Sequence, residues 1–192
     1  MEGRENMSGR ASALRIALSL AAVPCLFVTL SRAHADSAEQ IDGGVDAALP
    51  QLYQNQPSAQ ILAQKAKAIL IFPTIVKAGF MFGAAYGEGA LRQNGATVGY
   101  YSSVAGSYGY QVGLQEYGYA MFFMTDSALQ YLNQNDGFEV GVGPSVVVVD
   151  QGMGKSLTNT TLTQDVYAYI FDQQGLFAGA GIQGSKITQI NR

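Results

Sequence analysis

Residues 79–101 read GFMFGAAYGEGALRQNGATVGYY. Asn94-Gly95 sits between two apolar runs, and both residues accept the positive φ that a type I′ turn demands, so the pair predicts a β-hairpin. Strand-like texture continues on both sides. Residues 69–72 (ILIF) form a short apolar run that Pro73 is expected to end. Residues 79–92 lead into the turn and residues 97–101 leave it. Residues 105–114 alternate small and large side chains, and residues 119–124 (YAMFFM) form another strand. Thr125-Asp126-Ser127 then caps a short helix over 128–133. Asn135-Asp136-Gly137 turns the chain. Strands are expected at 138–142 and 145–149 around Gly143-Pro144, then at 158–162, 166–171 and 176–182, with 186–190 as an extension.

Upstream, residues 36–67 read as helical. Ile41, Val45, Ala48, Leu49 and Leu52 recur near the 3.6-residue period. Gly43-Gly44 weakens this first helix and Pro50 limits it. Residues 55–58 (NQPS) break it, with Ser58 as the N-cap of a second helix over 59–67. The expected class is α+β: N-terminal helices packed on a mainly antiparallel β-sheet or barrel of about eight to ten short strands. An outer-membrane barrel is the competing all-β reading. The unbroken valine run at 146–149 and the helical start count against it.

The chain has 192 residues, 23 of them Gly and 11 Tyr, with one Cys, one His and no Trp. Charged residues are 13%, about half the usual share of roughly 25%, while hydrophobic residues are 48%, which excludes a disordered polyelectrolyte. A sequence pI near 5.0 argues against nucleic acid as a partner. Arg10 and Arg15 precede an apolar run over 16–30, followed by Ala33-His34-Ala35. That order is a secretory signal peptide with cleavage after Ala35, and its export would place the protein in the periplasm or outside the cell. Residues 36–192 then form a single domain with 12 acidic and 7 basic residues and neither Cys nor His. Thiol and imidazole catalysis are excluded from that domain, as are the usual transition-metal ligands. No metal or other cofactor is expected.

Context decides the reading of several motifs. Gly154-Lys155-Ser156 lacks the upstream Gly and the following helix of a phosphate-binding loop. Residues 179–184 (GAGIQG) match G-x-G-x-x-G but leave no room for a second βα unit. Residues 133–137 lack the ligands of a calcium loop. Asn159-Thr160-Thr161 is a glycosylation sequon that asks only for a surface loop. Glu88 and Glu116 are the one carboxylate pair offered for acid–base work, and surface or rim positions are the simpler expectation. Lys65, Lys67 and Lys77 flank the most apolar segment, 69–76. Lysines beside such a segment either meet anionic lipid headgroups or snorkel around a core strand.

The blocks KAKAILIFPTIVKAGFMFGAAYGEGAL, GYYSSVAGSYGYQVGLQEYGYAMFFMTD, GVGPSVVVVD and DVYAYIFDQQGLFAGAGIQGSKI together resemble the SYLF domain family. Its members include yeast actin-patch proteins and secreted bacterial homologues, and this chain looks like the latter. The resemblance spans roughly residues 53–190. It implies a non-catalytic lipid-binding domain with affinity for phosphoinositide-like and other anionic phospholipids, and in eukaryotic members actin binding. Lys65, Lys67 and Lys77 are the expected lipid contacts. A cell-envelope structural or interaction protein without a specific lipid is the rival reading, and an enzyme using Glu88 and Glu116 is a third. The processing expectation is directly measurable: N-terminal sequencing of exported protein should begin at Asp36, and retention of residues 20–30 would refute cleavage there.

Overall fold

The computed structural model describes residues 35–134, 137–139, 143–149, 154, 157 and 162–192, with the side chains of 179–183 excepted. Helix α1 (Ala38–Asn55) starts at Ser37, which forms a capping box with Gln40. Its buried stripe is Ile41, Val45, Ala48 and Leu52. Pro50 lies inside α1 rather than ending it, so the helix forgoes one backbone bond there. α2 (Pro57–Ala63) begins with Pro57 in its first turn after Gln56, a position where the missing N–H costs nothing. Ser58, expected as the cap, is instead buried, and its Oγ accepts a 2.7 Å bond from the Tyr169 hydroxyl.

The expected eight to ten short strands are largely three very long ones: β1 (Ala68–Gln93), β2 (Ala96–Phe123) and β5 (Val166–Ile190). Between β2 and β5 come α3 (Asp126–Leu132), β3 (Phe138–Glu139) and β4 (Val146–Val148). The sheet order is β1-β2-β5-β3, and β4 joins β5 in parallel, so the sheet is mixed, with all its other pairings antiparallel. The Asn94-Gly95 turn is present, with φ of +50° and +82°, and Thr125 caps α3. Pro73 does not stop β1. A register shift between Phe72 and Ile75 absorbs it, and β1 is an edge strand, where a missing N–H is tolerated. Of the strand expected over 158–162, residues 158–161 lie outside the described residues, and Leu162 is not in a strand.

The long strands double back at their middles. A Cβ placed on Gly87 would lie 2.6 Å from the Thr74 carbonyl oxygen, and one on Gly89 would lie 2.1 Å from that of Ile71. The two halves of β1 are therefore in backbone contact, and β2 and β5 follow in register. The result is two layers cut from one sheet. Leu70, Phe72 and Ile75 from one layer share a core with Leu91, Tyr101 and Ile187 from the other. Phe138 fills one end of it, edge-on to Phe123 and Tyr131 at ring-centroid distances of 6.0 and 5.3 Å. On the outer face of the first layer, the cross-strand row Ile71–Ala120–Tyr169 packs under α1 and α2 in a second core. Each large side chain buried in these cores contributes roughly 1.5–3 kcal/mol relative to exposure.

Gly113 marks where β2 bends. Its φ is +146°, and an added Cβ would meet the Leu176 carbonyl oxygen at 2.1 Å. Gly113→Val should therefore lower unfolding free energy in urea by about 3 kcal/mol, through strain and overpacking. Gly106→Ala, also on β2 but with open space around its Cβ, should change it by no more than about 0.5 kcal/mol.

Candidate functional site

The fold-back brings the middles of all three long strands to one crest. Cross-strand rows there are Ala78–Leu114–Leu176 and Phe80–Val112–Ala178, with Phe82 opposite Tyr108. The side chains of these rows point outward. Phe80 is 74% exposed, Phe82 69%, Leu176 82% and Tyr110 91%. Phe82 and Tyr108 meet at a ring-centroid distance of 5.0 Å. Beneath them Gln111 is buried. It accepts a 2.9 Å bond from Ser107 Oγ and donates a 3.4 Å bond to the Met81 carbonyl oxygen. Met81 itself takes φ +60° at the apex. A satisfied buried amide thus fixes a tip whose outer surface is aromatic and aliphatic, and an apolar hollow of about 300 Å³ opens between Phe80, Tyr110 and Val112.

Charge is missing from this crest. Residues 78–87, 104–115 and 173–185 contain no Asp, Glu, Lys or Arg. Lys77 stands at the base, its Nζ 4.3 Å from the Phe177 ring centroid, a cation–π arrangement. From Lys77 to the apex at Met81 is four residues, roughly 13 Å of strand.

The structure separates the three lysines. Lys65 and Lys67 lie in the α2–β1 connection, where Lys67 Nζ is 3.2 Å from Asp126. Lys77 lies ten residues further along β1 than Lys67, up to roughly 33 Å of extended chain. Lys77 alone of the three adjoins the crest. Glu88 and Glu116 are not brought together either: Glu88 faces Ser102 across the β1–β2 ladder, whereas Glu116 faces Val76. Glu116 is exposed, but Glu88 is not at the rim as expected. It is buried, accepts from the Tyr86 hydroxyl, and pairs with Arg192 at 2.5 Å. Burial pushes the Tyr86 phenol up to about 12, helped by the hydrogen bond to Glu88 and its charge. At the helical end, Arg92 ties α1 to the hairpin through Asp42 and Asp46. Burial alone would raise the Asp42 carboxyl, but bonds from Thr97 and Tyr100 and the charge of Arg92 outweigh it and hold it below its ordinary value.

The crest residues were not singled out from sequence. Their signal was there, as large apolar residues alternating with Gly or Gln inside charge-free windows. That pattern also describes a buried strand.

Residues 104–192 match the family model described as Ysc84, Las17-binding protein actin regulator. Over residues 104–192 the chain matches the SYLF family. The matched stretch begins inside β2 and runs through β5, a shorter span than the 53–190 read from sequence. No curated protein matches the chain. β1 lies outside the matched stretch but pairs with β2 along nearly its whole length, so it is part of the same sheet.

Tyr86 sets an alkaline limit on the fold. Its folded value near 12 lies above the ordinary 10.0. The folded state therefore holds its proton more tightly, and that contribution is complete below about pH 10 and lost as pH rises through about 12. Urea unfolding followed against pH should show stability falling across that window. Tyr86→Phe should flatten part of the fall.

Proposed function

We propose that this SYLF domain is a non-catalytic membrane-binding domain that docks by inserting the crest into one leaflet, with Lys77 meeting anionic headgroups at its base. The observation that carries the reading is the charge-free crest with outward Phe80, Phe82, Tyr110 and Leu176. Monomeric soluble domains rarely expose contiguous apolar surface of this kind without a use for it. The reach of roughly 13 Å from Lys77 to the apex matches about half of a hydrocarbon core some 30 Å thick. Tyr108 and Tyr110 suit the boundary between headgroup and acyl chain, where amphipathic rings concentrate. The family description names an actin regulator, and lipid binding is the property that the SYLF resemblance adds.

Anionic phospholipid is the proposed partner class. The overall charge is negative, so a global field cannot draw the domain to such a surface. Apolar insertion supplies most of the affinity, and one lysine near an anionic surface adds about 1 kcal/mol. No helix among the described residues is long and apolar enough to cross a membrane. Docking from an exported position, periplasmic or extracellular, follows if residues 1–35 are removed as a signal peptide.

Co-sedimentation with anionic liposomes tests the arrangement. Phe80→Ser/Phe82→Ser/Leu176→Ser should weaken binding at least about a hundredfold, since each side chain contributes roughly 1.5–3 kcal/mol when buried. Lys77→Gln should weaken it about fivefold, while Lys65→Gln/Lys67→Gln should leave it within about twofold. Full binding by the triple serine variant would refute crest insertion. Concentration-dependent self-association that the same substitutions abolish, with no liposome binding by the parent, would favour the cell-envelope interaction protein instead.

A further inference from the structure

The two layers of the folded sheet do not fill the space between them. A cavity of about 190 Å³ lies there, larger than the engineered cavity of roughly 150 Å³ known to bind benzene. Ile75 and Ala85 from β1, Ala105 from β2 and Ile187 from β5 make apolar walls. Towards the crest, Gly79 lies against Gly83, where an added Cβ would come within 2.6 Å of the Gly83 Cα, and the Ser107–Gln111 bond adds a second closure. The half-exposed Val148 and Ile170 stand at the other side, where β4 meets β5. The cavity is thus separate from the crest and opens at the β5 edge.

Its polar groups are what select a ligand. Ser103, Tyr117, Tyr119 and Ser185 all line the cavity. Ser103 is only 7% exposed, yet neither its hydroxyl nor those of the two tyrosines bonds to any described residue. Four hydroxyls facing an otherwise apolar space can each donate one hydrogen bond. Burial raises the Tyr117 phenol and pushes Tyr119 up to about 12, so both remain protonated donors at any ordinary pH. No charged side chain among the described residues lines the cavity. An anion would enter without a counter-charge, at a heavy desolvation cost, whereas a pure hydrocarbon would leave the hydroxyls unmatched. We propose that the cavity is a binding site for a neutral, carbonyl-bearing molecule with a short apolar chain, an acyl ester, whose carbonyl oxygen accepts from the Ser103 and tyrosine hydroxyls while its chain lies along Ile75, Ala105 and Ile187. This site is independent of the crest and of its membrane role.

Thermal unfolding of the full chain with methyl hexanoate as probe tests the proposal, with ring-proton NMR of the tyrosines reporting contact. The ester should raise the melting temperature in a saturable way, as a ligand selective for the folded state does, and hexanoate anion should do so at least about tenfold more weakly. Tyr119→Phe should weaken the ester at least about fivefold and leave heptane binding unchanged. Ala105→Leu, which fills the cavity, should abolish both. If that variant does not fold, Ser103→Val gives the same reading of the ester by removing a donor at nearly constant shape. Phe80→Ser/Phe82→Ser should keep full ester binding. Competition by monomeric dihexanoyl phosphatidylcholine would make the ester that of a lipid, and its failure to compete would make it a free small ester; both outcomes support the ester site. The absence of any saturable ester effect on the parent, equal binding of hexanoate, or undiminished ester binding by Ala105→Leu or Ser103→Val would overturn the proposal.

Discussion

The structure depends on backbone meeting backbone between Ile71 and Gly89, between Thr74 and Gly87, and between Gly79 and Gly83. A side chain at Gly79, Gly87 or Gly89 would hold the halves of β1 apart. Because β2 and β5 follow β1 in register, separation at that edge would open the sheet, and the shared core from Leu70 to Ile187 would lose its second wall. The same contact creates the crest. Folding a sheet at mid-strand turns the alternating residues of its convex side outward on all three strands at once. The hydrophobic rows at the fold line are therefore exposed by geometry, not through any lack of apolar surface to pack against.

Two kinds of polar interaction hold this arrangement in place, at opposite ends. Near the hairpin, Arg92 joins α1 to β1 through Asp42 and Asp46, while Thr97 and Tyr100 hold Asp42. At the crest the bonds among the described residues are neutral, from Ser107 through Gln111 to the Met81 backbone. This division matters chemically. Charged fixings at the tip would oppose transfer into an apolar medium, whereas a buried amide with its partners satisfied does not.

The sequence was most legible where local chemistry is decisive. Asn94-Gly95 specified its turn, Thr125 its helix cap, and Ile41, Val45 and Leu52 a helical face. Strand lengths are not legible in the same way, because glycine and proline resemble punctuation. Pro73 sits on a sheet edge that tolerates it, and most of the glycines within β1 and β2 lie where layers touch or strands bend rather than where strands end. The lysines were grouped because they lie close in sequence, but ten residues of strand carry Lys77 away from Lys67. The crest escaped notice for a related reason. Period-two alternation says that a strand has two faces, and only the long-range folding of the sheet decides which face is covered.

The pairing of β2 with β5 has a kinetic consequence. β1 and β2 meet through a two-residue turn, but β5 joins Tyr100 to Ile190 across most of the domain. Contacts so distant along the chain form late, because loop closure must precede them. Until β5 arrives, the hairpin presents a long unpaired strand edge beside Phe122 and Met121, an invitation to intermolecular pairing. Folding should therefore be slow and concentration-sensitive, with a productive yield set by how quickly residues 166–190 reach that edge ahead of another molecule.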